Sequence, residues 1–191
     1  MTFIRRMLAA TLIATATTSS AWAQGTPNWR PSKPVRIVVP IVGSTNDVLA
    51  RLIAPELQKA FGQPFVVENK PGAGGNIGAL EVSRAAPDGH TLLVGYNGPL
   101  AINVTLFDKM PYDPTKDLAP ITLAVKSPQY LVANPAAGFT NVKDFIAKVK
   151  AEPARFSYGS VAMGSASHLT MEMMKSAAGF HMTHIPYRGA G

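Results

Sequence analysis

Between Tyr158 and Leu169 the chain reads YGSVAMGSASHL, a short β-prone run that passes through glycines and hydroxyls straight into a helix-prone stretch. A helix start leaves its first backbone N–H groups unpaired, and its dipole favours negative charge. Ser160, Gly164, Ser165 and Ser167 are therefore placed to surround a carboxylate or phosphate. Serine and glycine are also ordinary helix punctuation, and taken alone this stretch favours a capped helix without a ligand. His168 falls in the first helical turn, where the dipole disfavours a protonated ring and a neutral imidazole can donate one hydrogen bond to a ligand or cap. With Ser160 or Ser165 it could also be cast as the base of a secreted serine hydrolase. No G-x-S-x-G turn is present and no acid is evidently placed to orient the ring, so the hydrolase is the weaker alternative and no residue is assigned a catalytic role.

Two further strand ends open into turns of the same kind. VGSTND, from Val42 to Asp47, offers Gly43, Ser44, Thr45 and Asp47; GYNGPL, from Gly95 to Leu100, offers Tyr96 as a wall, Asn97 as a hydrogen-bonding selector and Gly98. Met163 would line the apolar side. Asp47 reads first as a helix cap and second as a selector for ligand amino or hydroxyl groups, because a bare carboxylate repels an anion. Asn97 has an ordinary alternative as a turn former, and Tyr96 as a packed strand end. In open α/β sheets ligands bind outside the carboxyl ends of the strands, so the three turns are expected to converge on one cleft. A fourth cluster, NKPGAGGNIG from Asn69 to Gly78, has the G-x-G-x-x-x-G spacing, which suits neither dinucleotides nor a phosphate loop; it reads as a tight turn setting a helix against the sheet. No cofactor and no metal are expected. His181 and His184 would point to opposite faces of a strand, and the methionines, with Leu169, Met173 and Ala177 on one stripe, read as packing.

The elements that must hold these turns alternate as strand and helix. Val35–Val39, Phe65–Glu68 and Thr91–Gly95 read as the first three strands, with helices over Asp47–Phe61 and Asn76–Ala86 between them. Leu49, Leu52, Ile53, Leu57 and Ala60 form the expected buried stripe of the first helix. Pro55 should kink that helix or divide it in two. Beyond the connection DKMPYDPTKDLAP, strands are expected at Ile121–Lys126 and Tyr130–Asn134. A helix at about Asn141–Ala151, with Val142, Phe145, Ile146 and Val149 on one face, precedes a strand at Phe156–Gly159. The fold class is α/β, a largely parallel sheet with helices on its faces.

Arg5 and Arg6 precede an apolar run from Met7 to about Ala16, and Ala21-Trp22-Ala23 supplies the small residues a signal peptidase reads. Residues 1–23 thus read as a secretory signal, too short in its apolar run to span a bilayer, and the expected location is the periplasm. The chain of 191 residues contains no cysteine, which excludes disulfides, a lipid-anchoring cysteine and thiolate metal sites. Eighteen basic residues stand against eleven acidic ones; without the signal the balance is sixteen to eleven, a net charge of +5. The basic residues are spread singly between Arg30 and Arg188 rather than clustered with aromatics, so nucleic acid is not an expected partner. A mild positive field still concentrates anions.

VRIVVP, NDVLARLIAPEL, FGQPFVVENKPGAGGNIGA, APDGHTLLVG, INVTLFDKMPYDPTKDLAPIT, YGSVAMGSASHL and HIPYRGAG follow one another in this chain. In order and spacing the mature sequence resembles the tripartite tricarboxylate transporter substrate-binding proteins, the Bug family of periplasmic solute receptors. The resemblance implies a two-lobed fold of the type II periplasmic-binding-protein kind, closing over a small carboxylate or related polar solute. It also implies a membrane permease as partner, a monomer, and ligand contacts made largely by backbone N–H groups and water at GSVAMGSASH and the first turn. Residues 24–125 would be lobe I and 126–191 part of lobe II, with hinge segments near Lys126. Two departures stand out. Pro40 is followed by IVGSTND where the family carries P-x-x-P-G-G-x-x-D, so Ser44 takes a glycine's place with a more restricted backbone. The sequence stops soon after HIPYRGAG, where family members continue, so a nearly complete first lobe, a partial second lobe and weakened or absent binding are expected.

Overall fold

The structure, a computed structural model, describes residues 29–189. The expected signal sequence lies outside the described residues. Val35–Val39 forms β1, and its near-continuous run of β-branched residues has the composition of a strand covered on both faces. Val35, Ile37, Val38 and Val39 are all buried. β1 lies between β2 (Phe65–Asn69) and β3 (Thr91–Leu93), parallel to both, with Val35 opposite Phe65 and Arg36 opposite Thr91. Arg36, the polar member of β1, forks onto the Glu68 carboxylate of β2 at 2.9 and 2.7 Å and also reaches Glu81. Its planar donors tie strand to strand and strand to helix.

Helix α1 spans Thr45–Phe61 without interruption through Pro55, two residues earlier in its start than the sequence suggests. Ser44 is its N-cap, so Asp47 sits at the third helical position instead of capping. The helix ends at Gly62 in the left-handed conformation, φ 73°. The buried face is Asp47, Ala50 and Ala54, continued by Leu57 and Phe61. Leu52 is 66% exposed, contrary to the expected stripe, and Ala60 is exposed too. Alanines at the contact let the helix axis approach the sheet closely, and that choice of face turns Leu52 outward.

Helix α2, Asn76–Ser83, stops short of the expected Ala86. Pro87 disfavours helical backbone at the residue before it and cannot continue the helix. Gly78 within α2 is where the helix crosses the end of β1: a Cβ there would lie 2.9 Å from both the Lys70 carbonyl and the Pro40 Cβ. After β3 a π-helical turn at Gly98–Ile102 leads into the short α3, Asn103–Leu106. Asn103 is fully buried and donates through Nδ2 to the Gly74 carbonyl at 2.9 Å and to Asn76 Oδ1 at 2.6 Å. The Tyr112 hydroxyl, from the long connection, closes this polar hub on the Pro99 carbonyl at 2.7 Å.

The strands expected at Ile121–Lys126 and Tyr130–Asn134 do not form; both segments are irregular, with Ile121 79% and Tyr130 83% exposed. β-branched and aromatic residues favour a strand only when a neighbouring edge completes the ladder, and among the described residues none pairs with these segments. Beyond them, α4 spans Val142–Ala151 behind the cap Asn141, whose side chain accepts the Asp144 N–H at 2.9 Å. β4 (Ser157–Ser160), α5 (Ala166–Ala178) and β5 (Thr183–Pro186) follow, β4 and β5 pairing in parallel with Ser157 opposite Thr183.

A second core lies around Phe145, Val149, Tyr158, Met171, Phe180 and Met182. Phe145 meets Phe139 and Phe180 edge to face, at 5.1 and 5.6 Å between ring centroids. In α5 the inward side chains are Met171, Met174 and Ala178, whereas Met173 is 71% exposed, one position off the expected stripe. Val142 of α4 is likewise exposed. The described residues from Pro31 onward form one compact unit containing both sheets. Among the described residues no helix is long and apolar enough to cross a membrane.

Candidate ligand-binding cleft

The turn after β1 is organised by Asp47. Its carboxylate accepts the Gly43 N–H at 3.0 Å, Asn69 Nδ2 at 3.0 Å and Arg51 Nε at 3.1 Å. Burial works against the charge, and the bonds from Asn69, Gly43 and Arg51 outweigh it and hold the carboxyl below its ordinary range. Gly43 takes the left-handed conformation, φ 63°, and Ser44 an extended one, φ −90°. The serine that stands in a glycine's place therefore carries no backbone strain. Thr45 opens the helix, and the neighbouring Asn46 ties this turn to the end of β3 through the Gly95 carbonyl at 2.7 Å.

In the turn after β4 the hydroxyls face inward. Ser165 Oγ donates to the Ala162 carbonyl at 2.7 Å and accepts the His168 N–H at 3.3 Å, capping α5. Ser167 Oγ accepts the Val161 N–H at 3.2 Å. The Gly164 N–H donates to His168 Nδ1 at 3.2 Å, so this nitrogen of the neutral imidazole serves the turn as an acceptor and the ring proton is on Nε2. Ser160 Oγ lies 3.1 Å from the Ala162 carbonyl and 2.7 Å from His184 Nε2. Which of Ser160 and His184 donates in this pair follows the imidazole tautomer. Ser160 thus meets His184, not His168, and Ser165 meets only the His168 backbone; neither pairing of the hydrolase alternative is formed.

His184 is sandwiched between the His168 ring, 4.1 Å away, and the Tyr158 ring, 4.8 Å away. Tyr158 donates to Glu172, which also binds Lys175 at 2.7 Å. Burial first, and then His168 and Lys175, push the His184 pKa below its ordinary 6.5, with Glu172 acting the other way. A histidine held neutral contributes stability that is complete above the unfolded pKa and is lost as pH falls through the folded value. Thermal unfolding is therefore expected to move to lower temperature between pH 7 and pH 5, with a shallower dependence in His184→Gln. An equal dependence in that variant would exclude His184 as the source. His181 is exposed, and among the described residues no cluster of three or more metal-ligating side chains occurs.

The turns converge. A Cβ on Gly98 would lie 3.1 Å from the Gly164 carbonyl, and one on Gly74 would lie 2.8 Å from the Met163 carbonyl. Val42 bridges Gly189, bringing the segment after β5 to the first turn. Between them is a cleft of about 400 Å³, lined by Pro40, Ile41, Pro71 through Gly75, Ile77, Tyr96, Val161 through Met163, Tyr187 and Arg188. The Tyr96 hydroxyl donates to the Gly74 carbonyl at 2.9 Å, and burial pushes its pKa up to about 12.

Of the residues singled out by sequence, Tyr96 and Met163 line the cleft. Gly43, Ser44, Thr45, Asp47, Ser160, Gly164, Ser165, Ser167 and His168 belong to two of the converging turns and are not on the lining. Asn97 is exposed and Gly98 buried in the third turn, neither on the lining. The glycine cluster acts as the expected tight turn, with Gly72, Gly74 and Gly75 at positive φ. It also supplies one wall, which its spacing alone did not reveal. Tyr187 and Arg188 were missed as well, although they stand in the HIPYRGAG motif. The N–H groups of Ala162 and Met163 have no acceptor among the described residues. Beside these residues the lining carries the Tyr187 hydroxyl and the Arg188 guanidinium, and the rest of its side chains are mostly apolar.

Residues 49–191 match the family model described as the tripartite tricarboxylate transporter family receptor. Among curated proteins the chain is 37% identical to protein BugT of Bordetella pertussis over 163 residues, covering 84% of this chain and 50% of that protein. The solved structure of Rpa4515 from R. palustris with adipate superposes with a TM-score of 0.80 at 38% identity, covering 83% of this chain and 54% of that one. MatC (Rpa3494) from Rhodopseudomonas palustris with bound malate gives a TM-score of 0.78 at 35% identity, covering 83% and 54%. Other matching structures are described as a periplasmic transporter and a periplasmic binding protein. The chain spans about half the length of the curated relatives it matches.

Proposed function

The chain belongs to the tripartite tricarboxylate transporter receptor family, and from that membership we propose that it is an exported receptor, capturing a small carboxylate or related polar solute for a tripartite tricarboxylate permease. The family is one of binding proteins, not enzymes. The observation that carries the reading is the cleft between the strand-end turns, whose described lining includes Arg188, has no acidic side chain, and contains Ala162 and Met163, whose N–H groups have no acceptor among the described residues. Adipate and malate in the matched structures support a carboxylate.

In this reading residues 24–125 serve as lobe I and 126–191 as part of lobe II, with the hinge near Lys126. The protein works in the periplasm as a monomer after loss of residues 1–23. Solute contacts to both sheets favour the closed state, and the turn residues off the lining hold the turns in place. Purified chain, heated over concentration series of adipate, malate, citrate and benzoate, should unfold at a temperature that rises with at least one acid and without consuming it. Flat series for all four would count against a receptor. Ester hydrolysis lost in Ser160→Ala would favour the hydrolase instead.

A further inference from the structure

Arg188 differs in its surroundings from Arg36, Arg51 and Arg155, which are all engaged by carboxylates. It lines the cleft with no carboxylate beside it, and among the described residues no group pairs with its guanidinium. Its backbone is nonetheless held on both sides. The Tyr187 N–H donates to the Ser160 carbonyl at 2.9 Å, and Gly189 bridges Val42. Gly189 has φ 150° and approaches so closely that a Cβ would lie 2.4 Å from the Val42 carbonyl. A cation is thus presented at a defined place, where the first turn meets the end of β5, with no carboxylate among the described residues paired to it.

The rest of the lining sets the kind of anion. Pro40, Ile41, Pro71, Ile77 and Val161 offer hydrocarbon, and the Tyr96 hydroxyl is already committed to Gly74. Hydroxyl groups on a ligand body would lose water and find the Tyr187 hydroxyl as their one side-chain partner besides Arg188 on the described lining. A third carboxylate would be left with no countercharge.

Resting on the receptor reading, we propose that Arg188 is the ligand's charge partner. The cleft thereby selects carboxylates with a hydrocarbon body and at most two carboxylate groups over hydroxylated tricarboxylates. The guanidinium fork takes one carboxylate, the Ala162 and Met163 N–H groups are donors for that group or a second one, and the body lies on the apolar wall.

Titration calorimetry of the full chain, Arg188→Gln and Arg188→Lys with adipate, hexanoate and citrate tests this. Adipate or hexanoate should bind wild type more tightly than citrate. Arg188→Gln should weaken the better ligand by about ten- to a hundred-fold, and Arg188→Lys should restore part of it, since charge remains without the fork. Unliganded unfolding temperatures should be equal in all three proteins, because Arg188 holds no structural partner. Undiminished binding by Arg188→Gln would overturn the role of Arg188 alone. Tighter binding of citrate would overturn the selectivity. Absence of binding by wild type to every acid would overturn the receptor reading and this inference together.

Discussion

Gly164→Ala is expected to destabilise the protein by about 2–4 kcal/mol and to abolish ligand-induced thermal shifts. Gly164 has φ 73°, where an L side chain is strained, and its missing Cβ would fall 2.3 Å from Asn103 Oδ1 and 3.1 Å from Leu106. Asn103 cannot swing away cheaply, because its Nδ2 holds the Gly74 carbonyl and Asn76. The turn would have to move, and the Ala162 and Met163 N–H groups with it. Gly62→Ala is the control: φ is again 73°, but nothing lies within 4 Å, so only the conformational cost of about 1 kcal/mol applies. Urea unfolding of both variants separates strain from clash. If the two losses were equal, contact with Asn103 would have no part in the effect. Adding Asn103→Ala to Gly164→Ala should give less than the sum of the separate losses, since the clash is removed along with the hub.

Asp47→Ala should cost about 2–3 kcal/mol and loosen the first turn. The side chain is buried and accepts from Gly43, Asn69 and Arg51, so removal leaves a backbone N–H and an amide without their acceptor. Asp47→Asn keeps the shape and part of the bonding and should lose less. The pH dependence has a definite sign. The folded pKa lies below the ordinary value of 3.8, so the contribution of the carboxylate is complete above that value and disappears as pH falls through the folded pKa. The difference between wild type and Asp47→Asn in urea unfolding should therefore shrink on acidification below pH 4. A constant difference would show that shape, not charge, is what Asp47 supplies.

Local chemistry made much of the fold legible. VRIVV reads as a strand, and it forms the middle of the sheet with the bounds expected, Val35–Val39. Gly62 and Asn141 stop and start helices through groups next to them in the chain, and those boundaries fall within a residue or two of expectation. Helix faces were less legible. Leu52 and Met173 satisfy an apolar periodicity, yet both are exposed, because alanines in α1 and the neighbouring Met171 and Met174 in α5 made the closer contacts. A period gives the spacing of a stripe; which stripe turns inward depends on the surface it meets. The unpaired segments 121–126 and 130–134 show the same dependence for strands, whose hydrogen bonds are never local.

For the candidate site, residue order alone placed the Gly/Ser turns at strand ends and carried the family membership, since glycine at positive φ, a capping serine and a strand-to-helix turn are local requirements. How these turns are bonded was decided by the tertiary structure. The hydroxyls of Ser160, Ser165 and Ser167, read from the sequence as candidate ligand donors, are engaged within the protein. The Ala162 and Met163 N–H groups, left without an acceptor among the described residues, are of a kind that every residue but proline carries and no sequence pattern can single out. Arg188 and the wall from Pro71 to Gly75 joined the cleft only because β5, the first turn and α2 meet in space. Backbone geometry is written in neighbouring residues, whereas a binding surface is made by contacts between segments far apart in the chain.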